Sequence, residues 1–260
     1  MNYKVLLNFL KNREIIKKKI NEIKNASKLN LKEKWNYYLP KAKEDKCIAI
    51  DGSYNFLKYR SLVFYAINIA SVIYENSKIK VDVFPIFDIV EDFIYLEDFL
   101  KSEMLKKEIE IAKNYCKEFN IILDGSLIYF LNFIPPNERK NYLNFFEESD
   151  KLIFSISKTP IKKIEEIDVG FSNEIFKEKN FGIITFYFKL KKSSLVYKVE
   201  TFEKNKDRIE EIVSLIKFFD YRGYPYILKK AHKEAKISNK DMERFAKILG
   251  IKEETGREVL

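Results

Sequence analysis

Two segments of the sequence repeat one pattern, an apolar run that ends in Asp-Gly-Ser. CIAIDGS places Asp51 at the end of the first run, and NIILDGS places Asp124 at the end of the second. Short apolar runs predict buried strands, and ligands of open α/β sheets collect at the carboxyl ends of such strands. Two carboxylates there are suited to hold a divalent cation. One Asp-Gly-Ser alone is more simply a turn, so the repetition is what favours a metal site.

A third carboxylate, Glu108, falls in a helix predicted over residues 97–118. Its neighbours at helical spacing are apolar or aromatic: Met104, Ile111, Ala112 and Tyr115. Glu108 therefore lies on the face that should be buried, where an unpaired carboxylate needs a cation or a partner. Pairing with a buried lysine is the simpler alternative. Glu103, which shares the polar face with several lysines, is the competing candidate for the site.

One histidine and one lysine are candidates for proton transfer or charge stabilisation. His232 lies beside the apolar stripe of a helix predicted from YILKKAHKEA, and it is the single imidazole available as a proton shuttle near neutral pH. Lys158 directly follows a predicted strand and would place an ammonium group at the same sheet edge. A structural histidine and a solvated lysine are the simpler interpretations.

The composition excludes several classes of protein. One histidine rules out His-cluster zinc sites and HExxH proteases, and two cysteines without a CxxC disfavour a disulfide-stapled secreted domain. Seven glycines with neither GxGxxG nor a P-loop motif disfavour dinucleotide-binding and P-loop enzymes. The net charge of +9 over 260 residues favours a polyanionic partner. The charged N-terminus does not resemble a signal peptide or a membrane span, so we expect a soluble, cytoplasmic protein.

Strands and helices alternate along the chain, which predicts an α/β fold with a mixed sheet and helices on its faces. Further strands are predicted near residues 61–75, 78–88, 151–157, 181–190 and 195–202. Helices are predicted near residues 95–119, 137–149 and 206–219, and two more in YPYILKKAHKEAKIS and NKDMERFAKILG. Residues 3–27 predict an amphipathic helix that packs on the body or on a second copy.

Four blocks of the sequence together resemble the NurA nuclease family of archaea and some bacteria. They are CIAIDGSYN at 47–55, the helix that carries Glu108, NIILDGSLIYF at 120–130 and GYPYILKKAH at 223–232, in that order. The resemblance implies an RNase H-like mixed sheet flanked by helices, with N-terminal and C-terminal helical extensions. It implies a helical arm over residues 1–40 and a nuclease domain over residues 41–260.

The resemblance also implies which residues form the site. Asp51, Glu108 and Asp124 are expected as catalytic ligands of Mn²⁺ or Mg²⁺, and His232 as the C-terminal active-site histidine. The family uses a tyrosine between the second aspartate and the histidine, for which Tyr187 and Tyr197 both qualify. Lys158 remains a catalytic candidate from its position alone.

The activity that the resemblance implies is a metal-dependent DNA nuclease. Members degrade DNA 5′ to 3′, nick single strands, form homodimers and work with a hexameric HerA-type ATPase in the resection of double-strand-break ends. The expected partners are therefore single- and double-stranded DNA ends, the ATPase and a second copy of the chain, with no membrane.

Three other functions fit the same residues. A non-catalytic nucleic-acid-binding subunit would bind DNA in a salt-sensitive manner that is indifferent to Asp51→Ala and Asp124→Ala. A structural adaptor of an ATPase motor would lose its partner on deletion of residues 1–27. A phosphotransferase of the actin and hexokinase kind would turn over ATP without DNA, although the chain lacks further glycine-rich phosphate loops.

Overall fold

The fold, taken from a computed structural model, is described for residues 12–19, 31–59, 62–157 and 167–250. The strands are β1 (Trp35–Asn36), β2 (Cys47–Tyr59), β3 (Leu62–Glu75), β4 (Lys78–Glu91), β5 (Asn120–Asp124), β6 (Ile153–Ser157), β7 (Gly170–Ser172), β8 (Phe176–Glu178), β9 (Ile183–Lys189), β10 (Tyr197–Phe202), β11 (Asp220–Tyr221) and β12 (Tyr224–Pro225). The helices are α1 (residues 12–19), α2 (Leu96–Tyr115), α3 (Leu127–Phe133), α4 (Pro136–Glu147), α5 (Ile209–Phe218), α6 (Tyr226–Ala235) and α7 (Asn239–Ile248).

Three long strands form an antiparallel meander, because β-branched and aromatic residues fill β2, β3 and β4. The turn between β3 and β4 is Asn76-Ser77, and both residues have positive φ, 51° and 58°. Two consecutive residues of this kind give the tight hairpin turn whose twist matches that of the flanking strands. The meander is thus specified locally by its composition and its turn.

After the meander the chain crosses through α2 to β5, which pairs parallel to β2, and β6 pairs parallel to β5. The main sheet has the order β4-β3-β2-β5-β6-β10-β9-β7-β1, with β8 paired to β9. The antiparallel meander followed by two parallel strands is the arrangement of an RNase H-like sheet. The predicted α/β fold with a mixed sheet is therefore confirmed.

The alternation of side chains along the strands gives the sheet two covered faces. Ile48 and Ile50 of β2 belong to the core that contains α2, whereas Cys47 and Ala49 belong to the core that contains α6. Asp51 follows the second set and points toward α6, while Gly52 lies under α2. The next positions of β2 thus present a carboxylate to one layer and a gap to the other.

Several predicted boundaries differ from the structure. We expected a turn after Asp51, but β2 continues to Tyr59, because residues 52–59 keep pairing with β3. The predicted helix over 206–219 begins as a 3-10 turn, Glu203–Arg208, and becomes α-helical at Ile209. The short helix α3, which follows the second Asp-Gly-Ser, was not predicted.

The N-terminal arm stays a prediction, since of the amphipathic helix expected over residues 3–27 only residues 12–19 fall within the described residues. These are helical. Within the expected arm, Trp35 and Asn36 form β1 and pair with β7 of the main sheet. No helix in the described ranges is both long and apolar enough to cross a membrane.

Candidate metal centre

The two aspartates of the repeated segments meet on neighbouring parallel strands. Ile50 of β2 pairs with Leu123 of β5, so the next residues, Asp51 and Asp124, stand side by side on one face of the sheet. Within the described chain, one ligand atom each from Asp51, Asp124 and His232 lie within 4.8 Å of one another. The structure therefore brings together the two carboxylates that the sequence singled out.

His232 joins the aspartates from the α6 side of the sheet. Its Nδ1 lies 2.7 Å from Asp51 Oδ2 and 3.5 Å from Asp124 Oδ2, while 58% of its side chain remains exposed. The apolar stripe of α6 is buried against the sheet: Ile227, Leu228 and Ala231. The imidazole is thus held at one nitrogen and open to solvent elsewhere.

The C-terminal end of α6 is tied to the strands that carry the site. Ser53 Oγ donates a hydrogen bond to Ala235 O (2.5 Å), and Asn68 Nδ2 donates to Glu234 O (3.0 Å) and Ala235 O (3.1 Å). These side chains satisfy carbonyls that the last turn of a helix leaves without partners. Strands β2 and β3 therefore fix the helix that presents His232.

Glu108 reaches the site from the opposite layer. It is buried on α2, and its carboxylate lies where a side chain of Gly52 would be, because a Cβ there would come within 2.6 Å of Glu108 Oε1. Glu103 instead faces outward and pairs with Lys106 at 3.2 Å. Of the two glutamates weighed from the sequence, Glu108 is the one that the structure places at the site. No lysine or arginine pairs with it in the described part of the chain.

Burial and mutual repulsion disfavour the charged forms of two of these carboxylates, Asp51 and Glu108. Burial, and next the charge of Asp124, raise the pKa of Asp51 to about 6, against the opposing effect of His232. Burial, followed by the charges of Asp51 and Asp124, raises the pKa of Glu108 well above its usual value. A bound cation would offset both effects, and oxygen-rich carboxylate sets suit hard divalent ions such as Mn²⁺ and Mg²⁺. The donor set therefore fits the expected metal.

Tyr224 lies at the site, whereas the sequence offers Tyr187 and Tyr197 as candidates for the active-site tyrosine. Its hydroxyl donates to Asp124 Oδ1 at 3.3 Å. Burial, and next the charge of Asp124, raise its pKa well above the usual range, so it stays a donor. Tyr197 lies behind it, with ring centroids 5.0 Å apart, and Tyr187 packs in a separate cluster with Trp35.

The hairpin that presents Tyr224 carries a local signal in the sequence. Arg222 and Gly223, with φ of 57° and 88°, form the two-residue turn between β11 and β12, and Gly223 N donates to Asp220 Oδ1 at 2.6 Å. Glycine at the second central position is a common signal of a two-residue hairpin turn in which both residues have positive φ. The tyrosine after it could therefore have been assigned to a hairpin directly before the His232 helix.

Glu200 is a residue near the site that the sequence did not reveal. It is buried on β10, accepts hydrogen bonds from Ser126 Oγ (2.8 Å) and Ile128 N (3.1 Å), and forms an ion pair with Lys198 Nζ at 2.6 Å. Ser126 in turn caps α3 by accepting from Tyr129 N. Glu200 thus holds the turn that follows Asp124. Lys158 lies outside the described residues.

A cleft of about 220 Å³ opens beside the carboxylates. Asp51, Glu108 and Asp124 contribute to its lining, as do Lys101 and Tyr129. A substrate in this cleft would contact the three acidic groups directly.

The sequence and the fold both resemble known proteins. Residues 45–152 and 129–237 match the sequence model of the NurA domain. A protein of Methanocaldococcus jannaschii named "Probable DNA double-strand break repair nuclease NurA" is 26% identical over 96% of this chain and 90% of its own length. The DNA double-strand break repair nuclease NurA of Sulfurisphaera tokodaii is 27% identical over 66% of this chain, a match that spans about half of that relative (53%).

Solved structures share the architecture. The NurA nuclease from Sulfolobus solfataricus matches with a TM-score of 0.74 at 21% identity, over 96% of this chain and 97% of that one. A NurA crystallised with dAMP and manganese matches with a TM-score of 0.65 at 13% identity, over the same shares of the two chains. At these identities the likeness establishes the fold.

Proposed function

Because the chain belongs to the NurA domain family, we propose that it is a divalent-metal-dependent DNA nuclease that hydrolyses phosphodiester bonds. The observation that carries the proposal is the cluster of Asp51, Asp124 and His232, whose ligand atoms lie within 4.8 Å of one another beside the buried Glu108. Relatives named as DNA repair nucleases and a relative crystallised with manganese support the same activity.

Each residue of the cluster has a role that its geometry allows. Asp51 and Asp124 hold the cation, and Glu108 completes the ligand set from the α2 side. Tyr224 orients Asp124 through its hydrogen bond. Bound Mn²⁺ or Mg²⁺ supplies activation of a water and neutralisation of charge on the scissile phosphate.

His232 is suited to move a proton at the phosphate. Asp51 engages Nδ1 at 2.7 Å, which orients the ring and leaves Nε2 as the second site for a proton. Lys158, the residue after β6 in the sequence, is the proposed group that stabilises the transition state. The net charge of +9 supplies phosphate affinity without sequence preference.

The finer activity and the partners follow from the family resemblance. We propose 5′ to 3′ degradation of DNA, endonucleolytic nicking of single strands and a homodimer that acts with a hexameric HerA-type ATPase in end resection. We also propose that the enzyme acts in the cytoplasm. Strands labelled at the 5′ or the 3′ end report the polarity, and addition of the ATPase reports its requirement.

The test is cleavage of end-labelled single- and double-stranded DNA in Mn²⁺, Mg²⁺ or EDTA. We expect cleavage with either metal only, and a loss of more than about a hundredfold in Asp51→Asn/Asp124→Asn and in Glu108→Gln. Glu103→Gln, on the outer face of the same helix, is the matched control and should cleave normally. Calorimetry with Mn²⁺ gives a second measurement, in which the double variant should no longer bind the ion.

Two results would count against the proposal. Cleavage that persists in the double variant would place the active site elsewhere. Salt-sensitive DNA binding without cleavage, unchanged by the same substitutions and by the ATPase, would instead identify a non-catalytic nucleic-acid-binding subunit.

A further inference from the structure

One wall of the cleft beside the carboxylates carries a lysine and an exposed aromatic ring. Lys101 of α2 and Tyr129 of α3 both line the cleft that also contains Asp51 and Asp124. Tyr129 is 43% exposed and lines the same cleft as the buried Asp51 and Glu108. We refer to Lys101 and Tyr129 as the cleft shelf.

Contacts within and beside the cleft shelf hold its two side chains in place. Phe133, one turn further along α3, supports the Tyr129 ring with their centroids 4.6 Å apart. Lys101 Nζ lies 4.1 Å from the centroid of Tyr129 and donates a hydrogen bond to its hydroxyl. Helices α2 and α3 thus hold the ring and the ammonium group together at the mouth of the cleft.

In the described part of the chain, Lys101 forms no ion pair with a carboxylate, although acidic residues line the same cleft. Among the described residues that line the cleft, Lys101 is the cationic one. An ammonium group over one face of a part-exposed ring offers the two contacts that a nucleotide needs, charge for its phosphate and the remaining exposed ring surface for its base.

We propose that the cleft shelf is a nucleotide subsite next to the metal centre, a proposal that rests on the nuclease function proposed above. The exposed part of Tyr129 stacks on an unpaired base that flanks the scissile phosphodiester, and Lys101 binds a phosphate of the same strand. Stacking requires a base that is out of the duplex. The subsite therefore selects a single strand or a frayed end over a closed duplex.

The experiment measures binding of a fluorescent eight-nucleotide single strand by anisotropy, with Ca²⁺ in place of Mn²⁺ to prevent cleavage. The same strand with abasic residues is the comparison. We expect wild-type protein to bind the strand with bases on the order of tenfold more tightly. Tyr129→Ala should abolish that preference, whereas Tyr129→Phe, which keeps the ring, should retain it.

Tyr37→Ala is the matched control, because Tyr37 is 61% exposed but follows β1, which four strands of the sheet separate from β5. It should keep the full preference for bases. Lys101→Ala should weaken binding of both strands alike and lower the slope of log K against log salt by about 0.7, as expected for one phosphate contact on a single strand. Unfolding temperatures of all variants show whether each is folded.

The outcomes separate the subsite from the nuclease function. A preference for bases that survives Tyr129→Ala, or that Tyr129→Phe loses, would overturn the stacking role. Manganese-dependent cleavage by wild-type protein is measured on the same strands. Absent cleavage with an intact, Tyr129-dependent preference counts against the nuclease, while normal cleavage with no preference for bases counts against the subsite.

Discussion

The two Asp-Gly-Ser segments have the same three residues but use them differently. In the first, Asp51-Gly52-Ser53 lies inside the long strand β2, and the backbone of Gly52 simply continues the strand. In the second, Asp124 ends β5, Gly125 has a φ of 108° and Ser126 caps α3. One segment is thus extended and the other turns.

The two glycines are needed for different physical reasons. At Gly52 the reason is space, because a Cβ would meet Glu108 Oε1 at 2.6 Å and Met104 Cγ at 2.8 Å. At Gly125 no atom lies within 4 Å of such a Cβ, and the reason is a backbone conformation that side chains disfavour. The same motif therefore supplies a gap for a third carboxylate on one strand and a turn into a helix on the next.

The largest effect that this comparison predicts is on cleavage by Gly52→Ala. The added methyl group would displace Glu108 from the proposed metal site, and misplacement of a catalytic group by about 1 Å costs on the order of a hundredfold in rate. We also expect overpacking to lower the free energy of unfolding by about 1–3 kcal/mol. Cleavage rates and chemical denaturation measure the two effects separately.

A Gly52→Ala protein with normal cleavage would show that Glu108 does not need the gap. The double variant Gly52→Ala/Glu108→Gln sharpens the test. If the methyl group acts through Glu108, the two substitutions together should cost little more than Glu108→Gln alone.

The next effect concerns pH and arises from burial of Asp51 in the first segment. In metal-free protein the pKa of Asp51 is raised from 3.8 to about 6, a difference that corresponds to at most about 3 kcal/mol. The folded state then binds the proton more tightly than the unfolded state. Stability should rise as the pH falls through about 6, and the gain is complete below about 4.

Thermal unfolding in EDTA between about pH 7 and pH 5 measures this gain, and Asp51→Asn should reduce it. Saturating Mn²⁺ should reverse the trend, because the cation binds the ionised carboxylates and competes with protons. An unfolding temperature of the metal-free protein that falls steadily over this range would contradict the burial of an ionisable Asp51.

Gly125→Ala is expected to act on stability more than on chemistry. A residue with a side chain at a φ of 108° adds strain of about 1–2 kcal/mol without a steric clash. Denaturant unfolding measures the loss, and cleavage should fall far less than in Gly52→Ala. Equal effects of the two substitutions on cleavage would contradict the conclusion that Gly52 is needed for space and Gly125 for its backbone conformation.

The sequence predicted the parts of this site that depend on local patterns. Apolar runs revealed the strands that carry Asp51 and Asp124, and helical spacing put Glu108 on a buried face. Local patterns could not show that β2 continues past its Asp-Gly-Ser, because that depends on pairing with β3 over residues 52–59. Nor could they show the contacts of Tyr224 and Glu200, because the partners of these residues lie about a hundred and about seventy residues away in the sequence.

The smallest predicted effects come from the two serines, each of which holds one end of a helix. Ser53 bonds to the C-terminal end of α6, through Ala235 O and Ile237 N, whereas Ser126 caps the N-terminus of α3. Loss of either hydroxyl should lower the free energy of unfolding by about 1 kcal/mol.

The two serines differ in what their helices carry, since α6 presents His232 and α3 presents Tyr129. Ser53→Ala should therefore reduce the cleavage rate while it leaves single-strand affinity unchanged. Ser126→Ala should weaken single-strand binding first. If both variants changed only the cleavage rate, or both changed only the single-strand affinity, the proposed separation of catalysis and substrate binding between the two segments would be wrong.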